Sequence, residues 1–415
     1  MIDDKAESKV LKLFMSNIKT AEIYSIAFGG EGIARIDGKV CFVTGALPDE
    51  KTVIEVTEEK KNFTKGVLRE IITPSQDRIE NVCPLAFNCQ KKGFFCTGCV
   101  YQHVSYEKEI EFKDRQFSEL LKRFAGIPDG IKLPPVYSEK YLNYRNKITI
   151  HKATGNVNYF GFVSNDNITV LDVPECNLAC DEINKALKEL RLDIPGFLKN
   201  GKKILLRYSQ KDGVLVLPEN TCRNFPEYMT EDSEFGPFLV PPYSFFQTNI
   251  FSHDLLLYEF KKILNEIKRE TVFDLYCGVG VFGILAAESG FKTYCADIDS
   301  EAVPAAKKNA EIRGLKNIEF LSGNAFDTSK KVFGKESPDK ICLVIDPPRT
   351  GLDKTLIELL CEKKPKCLIY ISCSPDTLCR DLKILMSAGY EIISTRIIDM
   401  FPRTKHFETI TYLTV

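Results

Sequence analysis

Cys373 is the residue whose type and position most directly suggest chemistry. It follows an apolar run, residues 368–371, that predicts a buried strand, and Pro375 stops the strand from continuing. Open α/β sheets hold their ligands at the carboxyl ends of the strands, so a thiol there is placed to act as a nucleophile. On this stretch alone, a buried core thiol is the more common role for a cysteine.

A second candidate site is the glycine-rich turn at residues 277–283, which follows an apolar strand pattern, residues 271–276. Glycines in such a turn let a ligand approach the backbone closely. About twenty residues later a second predicted strand ends in Asp297, which is suitably placed to accept ribose hydroxyls. This pairing fits NAD and S-adenosylmethionine equally well.

The elements that must position these groups begin after Pro241 and Pro242. From there strand and helix patterns alternate, which predicts a parallel sheet. Residues 391–399 and 408–415 predict a terminal hairpin whose last strand runs antiparallel. Glu408 would then lie at the same sheet edge as Asp346 and Cys373. Taken alone, Glu408 would be an ordinary surface carboxylate at the start of a strand.

Clustered cysteines upstream predict a metal site. Cys83 is followed by Cys96 and Cys99, with Cys89 in the gap. Zinc suits a pair of cysteines separated by two residues, and an iron–sulfur cluster needs four thiolates, of which one can be distant. The distant candidate is Cys176, with Cys180 as a substitute.

The rest of the chain predicts two further modules, both mainly β. Residues 17–75 contain short strand patterns broken by glycines, and Asp37-Gly38 is a hairpin signal, so a small β-barrel is expected. Residues 76–240 predict a central domain in which residues 106–124 are charged and helix-periodic. Its residues 141–218 are mainly β, with a strand at 157–162 and one helix, 181–192. Residues 1–16 predict a short helical or frayed leader.

Composition limits the possible classes of protein. The chain has 415 residues, which predicts two or three domains, and its net charge of −1 argues neither for nor against nucleic acid. It contains no run of eighteen apolar residues, and its N-terminus is polar and acidic, so a membrane span or signal peptide is not expected. The 15 scattered cysteines indicate reduced thiols and a cytoplasmic location.

Five motifs resemble those of the RNA uracil-5-methyltransferases, in particular the bacterial 23S ribosomal RNA branch that carries a TRAM domain and an iron–sulfur cluster. The motifs are Phe246-Gln247-Thr248-Asn249, Asp274-Leu275-Tyr276-Cys277-Gly278, Asp346-Pro347-Pro348-Arg349, Ser372-Cys373-Ser374-Pro375 and the segment from Asp399 to Glu408. Residues 29–35 and 43–48 resemble a TRAM domain. The Asp-Pro-Pro sequence is typical of methyltransferases that act on planar nitrogen or carbon acceptors.

The resemblance implies three domains, a set of site residues and two cofactors. The domains are a TRAM RNA-binding barrel at 17–75, a central RNA-binding domain with the iron–sulfur site at 76–240, and a Rossmann-like class I methyltransferase domain at 241–415. It implies Cys373 as nucleophile and Glu408 as base. Around S-adenosylmethionine and the target base it implies, together with the glycine turn, Gln247, Tyr276, Gly278, Gly280, Asp297, Asn324 and Asp346. A [4Fe–4S] cluster would be held by Cys83, Cys96, Cys99 and Cys176.

The expected partner is RNA, most directly 23S ribosomal RNA, with no DNA or membrane, and the chain is expected to be a monomer. Two departures from the family are visible. Val281 stands where the family usually has asparagine, and seven extra residues, Cys89 among them, separate the first two cluster cysteines.

Three alternatives stay open from the sequence. The same reaction on a transfer RNA loop uridine is one. A non-catalytic RNA-binding protein on this fold is another, against which Cys373 and Glu408 both argue. An NAD-dependent oxidoreductase is disfavoured by the Asp-Pro-Pro motif and by the cysteine after the fifth strand.

Overall fold

The computed structural model describes residues 17–90, 93–128, 130–153, 159–192, 202–219, 225–268 and 270–415. The predicted leader and the first two residues of the predicted strand 157–162 lie outside these ranges. The chain divides into two compact units. The first comprises Met1–Gln116, Ala153–Val173 and Arg403–Lys405, and the second comprises Phe117–Lys152, Pro174–Pro402 and His406–Val415. Within the described ranges, no helix is long and apolar enough to cross a membrane.

The first unit is built on a six-stranded sheet with the order β1-β5-β6-β4-β3-β2. Its strands are β1 (Ile18–Glu22), β2 (Ser25–Ile26), β3 (Gly32–Ile36), β4 (Lys39–Thr44), β5 (Lys51–Glu59) and β6 (Phe63–Thr73). Asp37 and Gly38 have φ of 50° and 80° and link Ile36 directly to its register partner Lys39. This two-residue turn is the predicted hairpin. Both of its residues have positive φ, as the tight turns that join antiparallel strands require.

Alternating residues of this sheet form the core of the first unit. In β3 the side chains of Ala34 and Ile36 are buried while Arg35 between them is exposed. The period of two places one face of each strand inside. The segment after β6 is tied to the sheet because Arg78 donates from Nη2 to Glu50 Oε2 at 2.8 Å. β9 (Phe160–Val163) and β10 (Val170–Asp172) pair as an antiparallel hairpin.

The second unit contains an eight-stranded sheet with the order β17-β16-β15-β18-β19-β21-β20-β7. Its strands are β7 (Val136–Tyr137), β15 (Thr271–Leu275), β16 (Lys292–Asp297), β17 (Ile318–Ser322), β18 (Ile341–Ile345), β19 (Cys367–Ser372), β20 (Glu391–Asp399) and β21 (Glu408–Thr414). β15 to β19 are parallel, and β21 runs antiparallel between β19 and β20. The predicted parallel sheet and terminal hairpin are therefore confirmed.

Helices accompany these strands. Those described are α1 (Tyr106–Leu120), α2 (Asp181–Leu190), α3 (Ile250–Glu266), α4 (Val281–Glu288), α5 (Ala302–Ile312), α6 (Ala325–Lys335), α7 (Lys354–Lys363) and α8 (Pro375–Ser387). A π-helix (Leu121–Ala125) follows α1, and a 3-10 helix (Pro338–Lys340) precedes β18. Every residue of β15, β18 and β19 is buried, as expected for strands covered on both faces.

The second unit also holds short antiparallel strands: β8 (Lys147–Lys152), β11 (Lys203–Ser209), β12 (Gly213–Pro218), β13 (Met229–Glu231) and β14 (Phe238–Val240). β11 pairs with both β8 and β12, and β13 pairs with β14. β7, from the segment predicted as the central domain, instead joins the eight-stranded sheet beside β20. A two-residue strand carries no periodic signal in sequence, so this pairing could not be predicted.

Candidate active site

The carboxyl ends of four neighbouring parallel strands carry most of the predicted site. β15 leads into Tyr276, β16 ends at Asp297, β18 is followed by Asp346 and β19 by Cys373. Because β21 runs antiparallel beside β19, its first residue, Glu408, lies at the same edge. The sheet thus brings these five predicted residues to one edge of the second unit.

The turn after β15 depends on residues with positive φ. Tyr276, Gly278 and Gly280 have φ of 71°, 53° and 88°. The Gly278 N–H donates to Asp297 Oδ2 at 2.7 Å, so the turn and the end of β16 hold each other in place. A Cβ on Gly280 would lie 3.0 Å from the Cβ of Ala306, so α5 packs here against bare backbone. Glycines leave such a backbone accessible to a ligand.

Three carboxyl groups lie at or near the ends of these strands: Asp297, Asp346 and Asp274. Burial, together with the negative charge of Asp297, raises the pKa of Asp346 to about 7. Burial also raises the pKa of Asp274 to about 8, although its Oδ2 accepts a hydrogen bond from the Gly283 N–H at 2.8 Å. Asp297 and Asp346 present carboxyl oxygens that can accept from hydroxyl donors, and any of them that is ionised also favours a cationic ligand. These residues therefore fit a sulfonium cofactor that carries a ribose.

Gln247 lies on the segment between β14 and α3. Its side chain is buried, and Gln247 Oε1 has no hydrogen-bond partner among the described residues. Two residues later Asn249 caps α3 by accepting from the Ser252 N–H at 3.2 Å, and its Nδ2 donates to Met400 O at 3.1 Å. The Gln247 segment is thereby fixed to the loop that leads towards Glu408.

Asn324 is the predicted residue with the clearest structural role. It is exposed and caps α6, because its Oδ1 accepts from the Asp327 N–H at 2.8 Å. The preceding Gly323 N–H donates to Asp297 O at 3.0 Å, which keeps this loop beside the end of β16. The loop thus lies at the site, while a cofactor contact by the Asn324 side chain stays a prediction.

The Cys373 thiol is half-buried at the turn between β19 and α8. On either side of it, the Ser374 N–H donates to Ser372 Oγ at 3.1 Å, which fixes the turn. Burial, together with the negative charges of Glu408 and Asp346, raises the pKa of Cys373 to about 11. The thiol is therefore protonated near neutral pH.

Glu408 lies at the first position of β21 and is only 5% exposed. Its Oε2 has no hydrogen-bond partner among the residues that the structure describes. Burial holds the pKa of Glu408 well above its ordinary value, and the charge of Asp346 acts in the same direction. A buried carboxyl oxygen without a partner costs free energy, which indicates that it is kept for a ligand.

Arg349 is a site residue to which sequence reasoning assigned no role, although it was quoted within the Asp346 motif. Its side chain is exposed, and its positive charge and hydrogen-bonding capacity lower the pKa of Cys373, against the larger effect of burial. It also lowers the pKa of Glu408. The sequence could have indicated a role for Arg349, because it lies three residues after Asp346, on the loop that follows β18.

Helix α8 holds this loop. The Leu352 N–H donates to Asp381 Oδ2 at 2.9 Å, and the Thr377 hydroxyl donates to the Arg349 carbonyl at 3.1 Å. Gly351 has a φ of 73°, and a Cβ there would lie 2.6 Å from Asp381 Oδ2. The helix that begins just after Cys373 therefore also positions the backbone of Arg349.

The predicted metal ligands fall in different units. Cys83, Cys96 and Cys99 belong to the first unit, and Cys176 belongs to the second. The Cys96 N–H donates to Leu85 O at 2.7 Å, so the segments of Cys83 and Cys96 are adjacent. Across the described ranges, no group of three or more His, Cys, Asp or Glu side chains could hold a metal ion.

One contact at these cysteines fits thiolate ligation. The Gly98 N–H donates to Cys96 Sγ at 3.5 Å, and such N–H to sulfur bonds are typical around iron–sulfur ligands. Cysteine thiols with a nearby N–H donor are groups that suit an iron–sulfur cluster. Among the described residues, however, the predicted thiols are not close enough together to form a ligand set.

Comparison with known proteins supports the same chemistry. Residues 240–415 match the tRNA (Uracil-5-)-methyltransferase family and residues 18–68 match the TRAM domain. An uncharacterized RNA methyltransferase of Oceanobacillus iheyensis is 30% identical, over 95% of this chain and 97% of the relative. One of Clostridium acetobutylicum is 31% identical, over 94% and 95%.

A solved structure has the same fold. The tRNA (uracil-54, C5)-methyltransferase of Pyrococcus abyssi, in complex with S-adenosyl-L-homocysteine, aligns with a TM-score of 0.71 over 95% of this chain and all of its own. At 24% identity this likeness concerns the fold. Together with the relatives and the site geometry, these matches show that the chain belongs to the S-adenosylmethionine-dependent RNA (uracil-5-)-methyltransferases and carries a TRAM domain.

Proposed function

We propose that this enzyme methylates carbon 5 of a specific uridine in 23S ribosomal RNA through a covalent bond between Cys373 and the base. The observation that carries the proposal is the buried Glu408 Oε2, which has no partner in the described chain and lies at the same sheet edge as the thiol. A nucleophile and a proton acceptor on one edge are what substitution at a vinylic carbon requires.

The chemistry follows from the electron distribution of uracil. The Cys373 thiolate adds to carbon 6, and the electron pair of the double bond moves onto carbon 5. S-Adenosylmethionine supplies the methyl group that carbon 5 takes up. Glu408 then removes the proton from carbon 5, the double bond re-forms and the bond between carbon 6 and sulfur breaks. Cysteine suits both ends of this sequence because it is a strong nucleophile and a good leaving group.

The remaining residues prepare these steps. Arg349 offsets the burial that keeps Cys373 protonated, so it favours the thiolate. Asp297, Asp346 and the backbone of Gly278 form the edge that suits the cofactor. The buried Gln247 carbonyl oxygen is free to accept from a donor on the cofactor or the base. A uridine inside folded RNA cannot reach this edge, so it must be flipped out or presented in a loop.

A transfer RNA loop uridine is the second candidate substrate. The structure that aligns over 95% of this chain is a tRNA (uracil-54, C5)-methyltransferase, which favours that class. The motifs of residues 83–103, together with the TRAM domain, resemble the ribosomal branch and favour 23S RNA. Nucleoside mass spectrometry of separated ribosomal and transfer RNA from a deletion strain decides between them. Loss of 5-methyluridine from transfer RNA alone would overturn the ribosomal proposal.

The proposal includes one [4Fe–4S] cluster on Cys83, Cys96, Cys99 and Cys176, with a structural or RNA-positioning role. It is supported by the hydrogen bond that the Cys96 N–H donates to the Leu85 carbonyl and by the Gly98 N–H that donates to Cys96 Sγ. No step of the reaction at Cys373 depends on this group. We also propose three domains, at residues 17–75, 76–240 and 241–415, with the last boundary at Pro241.

A further inference from the structure

A cavity of about 550 Å³ in the first unit is lined by Gly29, Gly30 and Gly45 of the TRAM domain and by residues of the segments 81–87 and 95–103. The glycines are needed for its shape. Gly45 has a φ of 82°, and a Cβ there would lie 2.1 Å from the ring of Phe87. Gly30 has a φ of 86°, and a Cβ there would lie 2.8 Å from Val100 Cγ2. The glycine motif of the barrel thus lets these two side chains form the cavity walls.

Three polar atoms at this cavity have no hydrogen-bond partner among the described residues: Gln102 Nε2, His103 Nε2 and Asn81 Oδ1. Gln102 is 3% exposed and His103 is 8% exposed. The Asn81 Nδ2 donates to Phe87 O at 2.6 Å, which fixes the amide. A buried polar atom without a hydrogen-bond partner costs free energy, so three around one cavity indicate a polar ligand.

The charge state of His103 suits a neutral polar partner. Burial, together with the positive charges of Arg78 and Arg403, lowers the pKa of His103 to about 3. The imidazole is therefore neutral at physiological pH and presents one donor or acceptor at Nε2. Together with the Gln102 amide and Asn81 oxygen, it offers the mixed donors and acceptors that the edge of a nucleobase requires.

The walls and the rim of the cavity suit a nucleotide. Phe28, Phe87 and Phe95 line it, and the rings of Phe87 and Phe95 pack edge to face with centroids 5.1 Å apart. The exposed Lys65 and Lys405 lie at the same cavity. Aromatic side chains stack on unpaired bases and lysines neutralise phosphates, which is how single-stranded RNA is bound.

We propose that this cavity binds one unpaired nucleotide of the RNA, other than the uridine that is methylated. Its base would contact Gln102, His103 and Asn81, and its phosphates would meet Lys65 and Lys405. This second RNA contact goes beyond the proposed function and holds for ribosomal or transfer RNA alike. Cys96 and Cys99 also line the cavity, so an iron–sulfur cluster is the competing occupant that the experiment must separate.

The test compares Gln102→Met with Gln76→Met in the full-length protein, because Gln76 is exposed and lies in the same unit. The probe is a fluorescein-labelled, mixed-sequence single-stranded RNA of about 12 nucleotides, within the length range that such grooves bind. We expect Gln102→Met to weaken binding about tenfold, since one discriminating contact is lost, and Gln76→Met to leave it unchanged. The melting temperature of Gln102→Met should be equal or higher, because an unsatisfied amide is removed.

A second pair of variants tests the rim. Lys405→Met should lower the slope of log K against log salt by about one, and the exposed Lys61→Met should not. Equal affinity of Gln102→Met and Gln76→Met overturns the proposal. The proposal is also overturned if Gln102→Met loses RNA affinity only in proportion to a loss of iron. The cavity would then hold the cluster and not a nucleotide. The probe does not contain the target uridine in its natural RNA. Its binding is therefore measured independently of methylation, and a failure of the proposed methylation would not change this result.

Discussion

The Thr409 hydroxyl donates a hydrogen bond to the Ser372 carbonyl at 3.1 Å, and these two residues are register partners on β21 and β19. Cys373 follows Ser372, and Glu408 precedes Thr409. Because the strands run antiparallel, the ladder itself places the thiol and the carboxyl next to each other. A shift of one residue in register would move Glu408 to the other face of the sheet and separate the pair.

The first prediction concerns the covalent bond. RNA that carries 5-fluorouridine at the target should trap the wild-type enzyme in a complex that survives denaturation, because fluorine cannot leave carbon 5 as a proton does. Cys373→Ala should form no such complex on a denaturing gel. Cys361→Ala, which changes a half-buried cysteine of α7, is the control and should trap normally. Equal trapping by Cys373→Ala would assign the nucleophile elsewhere.

The second prediction concerns the pH dependence of the thiol. Burial and the nearby carboxylates raise the pKa of Cys373 to about 11, and Arg349 keeps this rise smaller than it would otherwise be. Removing the guanidinium in Arg349→Gln should raise that pKa, so the thiolate fraction at any given pH below it should fall. The alkylation rate of Cys373 by iodoacetamide should then rise at higher pH than in the wild type. Arg349→Lys should fall between the two, because it keeps the charge but loses the planar donors.

An unchanged alkylation profile in Arg349→Gln would show that the guanidinium does not act on the thiol. Peptide mass spectrometry identifies Cys373 among the other cysteines and so provides the rate for this residue alone. The exposed Arg35, in the other unit, provides a matched control as Arg35→Gln.

Much of the site could be predicted because its residues follow strands with strong patterns. Cys373, Asp346 and Asp297 each come directly after or at the end of an apolar run, and parallel strands end at one edge. Glu408 required one further step, the antiparallel direction of the last strand. The glycine turn was visible in the sequence, and its contact with Asp297 follows from the same topology.

Other features depend on contacts that have no period in sequence. The effect of Arg349 on the pKa of Cys373 depends on the loop that α8 fixes through Asp381. The cavity beside Gln102 and His103 is lined by residues that are far apart in sequence, such as Gly30, Gly45 and Lys405. A composition or spacing argument cannot supply such contacts, because they are set by tertiary packing rather than by local propensity.

The third prediction tests the loop after β18. Gly351→Ala should destabilise the enzyme, because a Cβ at φ of 73° is strained and would lie 2.6 Å from both Arg380 Nη2 and Asp381 Oδ2. The expected loss is about 1–3 kcal/mol in the free energy of unfolding, measured by urea denaturation. Gly334→Ala is the control, since that glycine lies in α6 with no atom within 4 Å of the added Cβ. Equal stability of the two variants would contradict the proposed constraint.

The fourth prediction concerns iron. Anaerobically purified protein should be brown and contain about four irons per chain, the number that a [4Fe–4S] cluster holds. Cys83→Ser and Cys176→Ser should each lower the iron content, and Cys89→Ser should leave it unchanged. Stoichiometric zinc without iron would contradict the cluster, and loss of iron in Cys89→Ser would contradict the ligand choice.

The last prediction separates binding from catalysis at Glu408. Glu408→Gln keeps the size of a side chain that is 5% exposed, so packing and RNA binding should change little. The variant has no carboxylate to remove the proton from carbon 5, and this step comes only after the thiolate has added and the methyl group has moved. Turnover should therefore fall by about 10²–10⁴, the usual cost of losing a positioned base.

The methylated covalent intermediate should accumulate in Glu408→Gln, because elimination of Cys373 is blocked. A single-turnover reaction with labelled methyl donor, analysed on a denaturing gel, should show label in a protein–RNA band. Cys373→Ala/Glu408→Gln is the matched control and should show none, since it cannot form the bond to carbon 6. Free methylated RNA released at the wild-type rate would instead assign the proton transfer to another group, such as His406 or a water molecule.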